Sequence, residues 1–87
     1  MLSLAASDSI MDLKKVLTDI ARAIVDDPDA VNVVENVDGD DIEFVLTVAE
    51  DDTGMVIGRH GKIAKAIRQI MKAAASTCGK HVTVEIK

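Results

Sequence analysis

The sequence predicts a two-layer α+β domain, with three helices packed on one face of a three-stranded mixed sheet. Three observations carry that prediction. Apolar residues recur at helical spacing from Leu13 to Val25. Every second residue is apolar over Ile42–Val48 and again over Val82–Ile86. A pair of glycines, Gly58 and Gly61, divides a helical-looking stretch that contains no acid.

Taken in chain order, Met11 opens the first strongly periodic segment. Residues 1–10 are therefore expected to be an extension outside a folded unit spanning 11–87. Leu13, Val16, Leu17, Ile20, Ala21, Ile24 and Val25 form one apolar helical stripe. Ser9 with Asp12 three residues on fits a capping-box start, and Asp26-Asp27-Pro28 ends the helix, because the residue before proline is pushed out of the helical region. Val31–Val37 is β-branched and short, residues 38–41 (DGDD) make a turn, and Ile42–Val48 alternates, so the pair reads as a hairpin. Glu50, Asp51 and Asp52 suit a helix N-terminus. They introduce a short helix over Thr53–Ile57 that Gly58 ends.

Gly61 opens the next helix. On a helical wheel Ile63, Ala66, Ile67, Ile70 and Ala74 share one side, Lys65, Arg68 and Lys72 lie opposite, and Lys62 flanks the glycines. Gly79 stops this helix, and Val82, Val84 and Ile86 mark the last strand. The order is α-β-β-α-α-β. A β-α-α-β unit whose strands pair directly must run them parallel, with the helix pair crossing in the right-handed sense.

Composition narrows the function. Eighty-seven residues, 48% hydrophobic, make one small domain with an aliphatic core. Phe44 is the only aromatic residue, so the domain does not grip a ligand by aromatic stacking. The single Cys78 cannot form an internal disulfide, which suits a reducing compartment, and beside Gly79 it reads as small buried filler before it reads as a reactive thiol. No apolar run has the length of a transmembrane helix, and the opening residues lack the basic region of a secretory leader. A cytoplasmic protein without membrane contact is expected.

The net charge of −5 is unevenly spread: residues 1–52 hold fourteen acids and three bases, while residues 53–84 hold six bases and no acid. Two explanations stay open, an anionic partner at the basic part or attraction between the two halves. The acids crowd turns and helix ends, where turn chemistry accounts for them, and no nucleophile–base pair offers itself. An enzyme is not expected. His60 and His81 lack metal spacing with each other and with Cys78, so neither a metal nor a cofactor is expected.

The segment Gly58-Arg59-His60-Gly61 admits three chemical readings. A nucleotide-hydrolase phosphate loop fails because Val56 holds its first glycine position and Ile63 follows Lys62 where a hydroxyl is required. A dinucleotide fingerprint fails at Val56 too, and lacks a strand before the loop. The third is a four-residue junction between helices, where absent Cβ atoms admit a sugar-phosphate backbone, the next helix offers N–H groups and a positive dipole end, and Arg59, His60 and Lys62 supply charge and hydrogen bonds. The plain alternative is a corner in which Gly58 only terminates a helix. Two short flanking helices, an acid-free stretch and strands in the right order favour the phosphate-binding junction.

At this point the segment VIGRHGKIAKAIR (Val56–Arg68) resembles the signature of a KH domain, whose Gly-x-x-Gly loop clamps about four nucleotides. The element order resembles the type II, prokaryotic variant. With IVDDPDAV (Ile24–Val31) and AAAS…GKHVTVEI (Ala73–Ile86), the chain from about Met11 to Lys87 resembles the KhpA family of small single-KH bacterial RNA-binding proteins. Residues 1–10 have no counterpart, and the loop pair Arg-His departs from the expected Lys-Gln while still suiting a phosphate clamp.

That resemblance implies a cytoplasmic single-stranded RNA binder, an RNA chaperone or post-transcriptional regulator. It implies a homodimer or a heteromer with a larger KH-containing protein of the KhpB/Jag type, a pair linked in some bacteria to cell-shape and envelope control. By motif position Gly58 and Gly61 permit backbone approach and Arg59, His60 and Lys62 contact phosphates. Ile57, Ile63 and parts of the second strand floor an aliphatic groove, and Lys65 extends its basic rim. For Ile57 and Ile63 ordinary core packing is an equal alternative, and Arg68 and Lys72 are expected on a solvated helix face or a secondary patch. Two other functions stand beside RNA binding: a protein-docking module with a structural glycine corner, and single-stranded DNA binding.

Overall fold

The computed structural model describes residues 12–87; the expected 1–10 extension, Met11 and the capping role of Ser9 lie outside the described residues. Helix α1 runs Leu13–Ile24, and its N-cap is Asp12 itself, whose Oδ1 accepts the Lys15 N–H at 3.2 Å. Leu13, Leu17, Ala21 and Val25 are buried and Val16, Ile20 and Ile24 half-buried, so the expected stripe is the packed face. The helix stops before Asp26, and Pro28 opens a short 3₁₀ turn, Pro28–Ala30, where its fixed φ fits and its missing N–H is no loss.

Strands β1 (Asn32–Asp38) and β2 (Asp41–Thr47) form an antiparallel hairpin with Asp38 opposite Asp41, so the turn is the two residues Gly39 and Asp40. After a 3₁₀ turn at Glu50–Asp52 come α2 (Thr53–Ile57), a second 3₁₀ turn at Arg59–Gly61, α3 (Lys62–Thr77) and β3 (His81–Ile86). β3 pairs parallel to β2, with Ile42 opposite Val82 and Leu46 opposite Ile86, giving the sheet order β1-β2-β3. The mixed three-stranded sheet and the α-β-β-α-α-β order are as the sequence predicts.

The core lies between the helices and one sheet face. Phe44 and Leu46 on the central strand and Val84 on β3 meet Leu17, Val56, Ile67 and Met71 from the helices. By strand alternation the other face carries Asp41, Glu43, Val45 and Thr47 with Val34, Asn36, His81, Thr83 and Glu85. Among the described residues nothing covers it, and of these residues only Val45 is half-buried.

One expectation needs correcting. The buried stripe of α3 is Ala64, Ile67, Met71 and Ala75, not the Ile63, Ala66, Ile67, Ile70 and Ala74 set. The helix is turned by somewhat less than one residue's ~100° step, leaving Ile63 37% and Ile70 50% exposed and Ala66 at the surface. Small Ala64 and Ala75 let the helix sit close to its neighbours and flexible Met71 fills the remaining gap. A wheel weighted by hydrophobicity ranks the isoleucines first and misses both effects.

Candidate nucleic-acid interface

The site is built from the head of α2 onward. Asp52 is only 3% exposed, and its Oδ2 accepts the Asp27 N–H at 3.0 Å, fastening the start of α2 to the chain leaving α1. From there α2 needs five residues to reach Gly58. The Gly58 N–H donates to Gly54 O at 2.8 Å, closing the helix.

Gly58 has φ 76° and ψ 174°, a region open in practice to glycine alone. A Cβ there would lie 2.6 to 2.9 Å from the Ile63 side chain. Gly61 also needs a positive φ, 73°, but a Cβ on it would meet nothing within 4 Å. Between them His60 is left-handed as well, at φ 58° and ψ 24°. The turn therefore reverses the chain tightly and pushes Arg59 and His60 into solvent. Its N–H groups at Gly61 and Lys62 donate to Gly58 O and Arg59 O. Those two donors are thus already satisfied by main-chain carbonyls.

The electrostatics favour one of the two explanations for the uneven charge. Among the described residues the salt bridges are Lys15–Asp19 at 2.8 Å and Lys80–Asp40 at 3.2 Å. Arg59, Lys62, Lys65, Arg68 and Lys72 join neither pair. Mutual attraction of the halves thus engages one cation of the basic segment, and the rest face outward.

The expected site residues do gather. Gly58, Arg59, His60, Gly61 and Lys62 make the turn, Ile57 (38% exposed) and Ile63 flank it, and Lys65 lies exposed one turn into α3. The second strand does not join them. Ile42, Phe44 and Leu46 of β2 are buried beneath the helices, because β2 is central and its helix-facing side chains are core. The strand beside α3 is the edge strand β3.

Between α3 and β3 runs a groove of about 200 Å³ lined by Arg68, Lys72, Val82, Thr83 and Val84. Arg68 is exposed, as expected of a helix face or secondary patch, and is also tethered. Its Nε donates to Val84 O at 3.1 Å, tying helix to strand. The His81 and Lys87 N–H groups donate to Asp40 O and Leu46 O, so main-chain groups of alternate residues point at β2 and those of Val82, Val84 and Ile86 point at the free edge. Lys65, Arg68 and Lys72, at i, i+3 and i+7 before an edge strand, were the available signal for this wall. Reading it required knowing that β3 lies beside α3.

A larger concavity, about 390 Å³, sits at the hairpin end of the sheet and includes Asn36, Asp38, Asp41, Glu43 and His81 in its lining. Its carboxylates repel phosphate, and the strand direction places it at the opposite end from the glycine turn. Among the described residues no three His, Cys, Asp or Glu side chains could hold a metal ion, and no helix is long and apolar enough to cross a membrane. Cys78 is half-buried with a free thiol.

A family model described as KhpA/KhpB, KH domain matches residues 14–86. Similar chains include the RNA-binding protein KhpA of Caldanaerobacter subterraneus, 52% identical over 67 residues covering 77% of this chain and 89% of that one. The protein of the same name from Clostridium acetobutylicum is 49% identical over 74 residues, 85% of this chain and 99% of that one. The one from Treponema pallidum is 39% identical over 84% and 91% of the two chains. Among solved structures, a crystal structure of Aquifex aeolicus Era bound to GDP.AlF4- has a similar fold, with a TM-score of 0.62 over 85% of this chain and 29% of that chain at 20% identity.

Proposed function

The chain belongs to the KhpA/KhpB family of KH domains, and on that premise we propose that it binds single-stranded RNA, clamping the sugar-phosphate backbone at the Gly58–Gly61 turn. One observation carries the reading: a tight glycine turn projects Arg59 and His60 into solvent inside a segment with no carboxylate. Gly58 lets the strand approach, and Arg59, His60 and Lys62 meet its phosphates. Ile57 and Ile63 form an apolar shoulder for sugar and base, while Lys65 extends the basic rim toward the α3–β3 groove. Relatives named for RNA binding support the choice of RNA as ligand.

The finer role we infer is that of an RNA chaperone or post-transcriptional regulator in the reducing cytoplasm. It works as a pair, with a second copy or with a larger KH-containing protein of the KhpB type. Support for pairing comes from α3, where Ala66 and Ile70 stand exposed on one side of the helix, an apolar strip that a lone small domain gains nothing by showing to water.

The test is fluorescence anisotropy of a labelled single-stranded RNA across a salt series, with the double variant Arg59→Asp/His60→Asp alongside. Contact with two or three phosphates gives a log–log salt slope of about −1.4 to −2.1, at roughly −0.7 per phosphate for a single strand. Both side chains are exposed, so the double variant should keep its circular dichroism spectrum and lose binding. A folded variant that binds as well as the parent refutes the assignment of the turn. Equal binding of a DNA oligomer of the same sequence would widen the ligand class to either sugar.

A further inference from the structure

We propose that the outer edge of β1 accepts an extended segment of another protein, a strand with lysine or arginine on alternate residues, and so lengthens the sheet. The main chain decides which groups are on offer. The hairpin turn closes on Asp38 opposite Asp41, a pair that exchanges both of its hydrogen bonds. Along the one-to-one register the bonds alternate, so Val34 and Asn36 point at β2 while Val33, Glu35 and Val37 turn their N–H and C=O groups outward. The far side of β2 agrees, because the His81 and Lys87 N–H groups take Asp40 O and Leu46 O. Val33 is buried, and Glu35 and Val37 are exposed.

Among the described residues no strand lies outside β1. Nor does β1 carry the devices that blunt an edge: it has no lysine, no proline and no bulge. Its apolar Val34 and Val37 are 45% and 61% exposed. The other edge strand differs, since Arg68 of α3 already donates to Val84 O of β3 and Lys80 and Lys87 flank that strand.

Charge identifies the occupant. From Ala23 to Gly58 the chain holds no base. Of the hairpin acids Glu35, Asp38, Asp40, Asp41 and Glu43, Asp40 alone has a salt-bridge partner among the described residues. Asn36, Val37 and Asp38 of β1 also line the concavity of about 390 Å³ that Asp41 and Glu43 line from β2. A strand added outside β1 lies about 10 Å from β2, two strand spacings away. Long basic side chains on its uncovered face therefore extend over β1 toward those carboxylates. A second copy of this chain would set an acid-only hairpin against itself, which repels. Main-chain bonds supply affinity in such an addition and alternate side chains supply choice. With the exposed main chain of Glu35 and Val37 alone on offer the pairing is short, so the charges decide whether it holds. The RNA clamp, at the opposite end of the sheet from the hairpin, takes no part.

The probe is an acetylated octapeptide of alternating lysine and valine, added to the nitrogen-15-labelled full chain at low salt, where exposed charges are least screened. In antiparallel pairing, the more stable arrangement, the valines lie opposite Glu35 and Val37 and make the bonds, and the lysines share the face of Asn36 and Asp38. The Glu35 and Val37 amide signals should move and exchange more slowly with solvent. A peptide with glutamate in place of lysine should bind on the order of tenfold more weakly, as two or three cross-strand charge pairs change sign. Methylating the valine nitrogens keeps every charge, removes the donors and should abolish binding. So should Val37→Pro, which gives up an outward N–H and leaves the ladder to β2 intact.

Binding that survives methylation of the valine nitrogens overturns the proposal, as do amide shifts centred on acids outside the hairpin, or no binding at all. If Val37→Pro fails to fold by circular dichroism, the methylated peptide decides alone. Should light scattering show a pair of chains that Val37→Pro separates, the edge belongs to a second copy and the proposal falls.

Discussion

Replacing Gly58 by alanine should damage the fold far more than the same change at Gly61, and the structure allows the difference to be sized. At Gly58 the backbone, φ 76° and ψ 174°, lies where a side chain costs about 1–3 kcal/mol. The new Cβ would sit 2.8 Å from Ile63 Cβ and 2.6 Å from its Cγ1. Turning the Ile63 side chain moves Cγ1 but leaves its Cβ in place, so backbone must shift, at a further ~1–3 kcal/mol for overpacking. Alanine recovers ~0.4–1 kcal/mol by restricting the unfolded chain. The net loss is about 1–5.5 kcal/mol, centred near 3, and a domain of this size loses ~4–8 °C of melting temperature per kcal/mol. Gly61→Ala meets open space and bears only the left-handed cost of ~1–2 kcal/mol less the same entropic gain. Thermal and urea unfolding followed by circular dichroism should place Gly58→Ala on the order of 10 °C or more below the parent, and Gly61→Ala within a few degrees. Adding Ile63→Ala to Gly58→Ala should restore only the share of the overpacking due to Cγ1 and Cδ1, since the 2.8 Å contact with the Cβ of residue 63 remains. A Gly58→Ala protein that melts with the parent, or above Gly61→Ala, would refute the reasoning.

Two further substitutions probe the supports of the site. Asp52→Ala removes the buried acceptor for the Asp27 N–H and should cost ~1–3 kcal/mol in urea unfolding; Asp52→Asn, which keeps an acceptor oxygen, should lose less, and equal losses would count against the hydrogen bond. Ile70→Lys alters a half-exposed side chain, so it should leave the melting temperature within a few degrees while lowering the mass seen by light scattering from a pair to a single chain; an unchanged mass would move the pairing surface off α3.

Most of the architecture is legible in the residues because most of it is local. The α1 stripe ends at Val25, ahead of Pro28, and the β2 alternation begins after Gly39, each set by neighbours a few positions away. The parallel placement of β3 follows from connection handedness, a rule that needs only element order. The turn is legible for a similar reason: only glycine meets the φ and ψ found at Gly58. What the sequence hides depends on the third dimension. Which side of α3 faces the sheet was decided by the small size of Ala64 and Ala75 and by the adaptability of Met71, none of which stands out against Ile63 and Ile70. Arg68 shows the same limit from the polar side. As one of several cations on a helix it reads as solvated, and only the neighbouring edge carbonyl of Val84 gives it a fixed position.

The net charge of −5 is compatible with an RNA clamp because charge acts locally. With a Debye length of ~8 Å at physiological salt, the hairpin acids Asp38, Asp40 and Asp41 are remote from the turn. The seven residues of β2 at ~3.3 Å each separate them by about 20 Å. Glu50 and Asp51 are different. They are exposed eight and seven residues before Gly58, about 10–12 Å at ~1.5 Å per residue, nearer than the hairpin acids but still beyond one screening length. Asp52 is nearer, but it is buried and bonded to main chain. On the proposed reading, a few cations without an aromatic platform make an intrinsically weak single clamp. Pairing through α3 would place two such clamps on one RNA, and the second contact then acts at the effective concentration set by the first. On the proposed pairing, the exposed isoleucines and the modest charge of the turn belong to one design, in which useful affinity comes from two sites acting together.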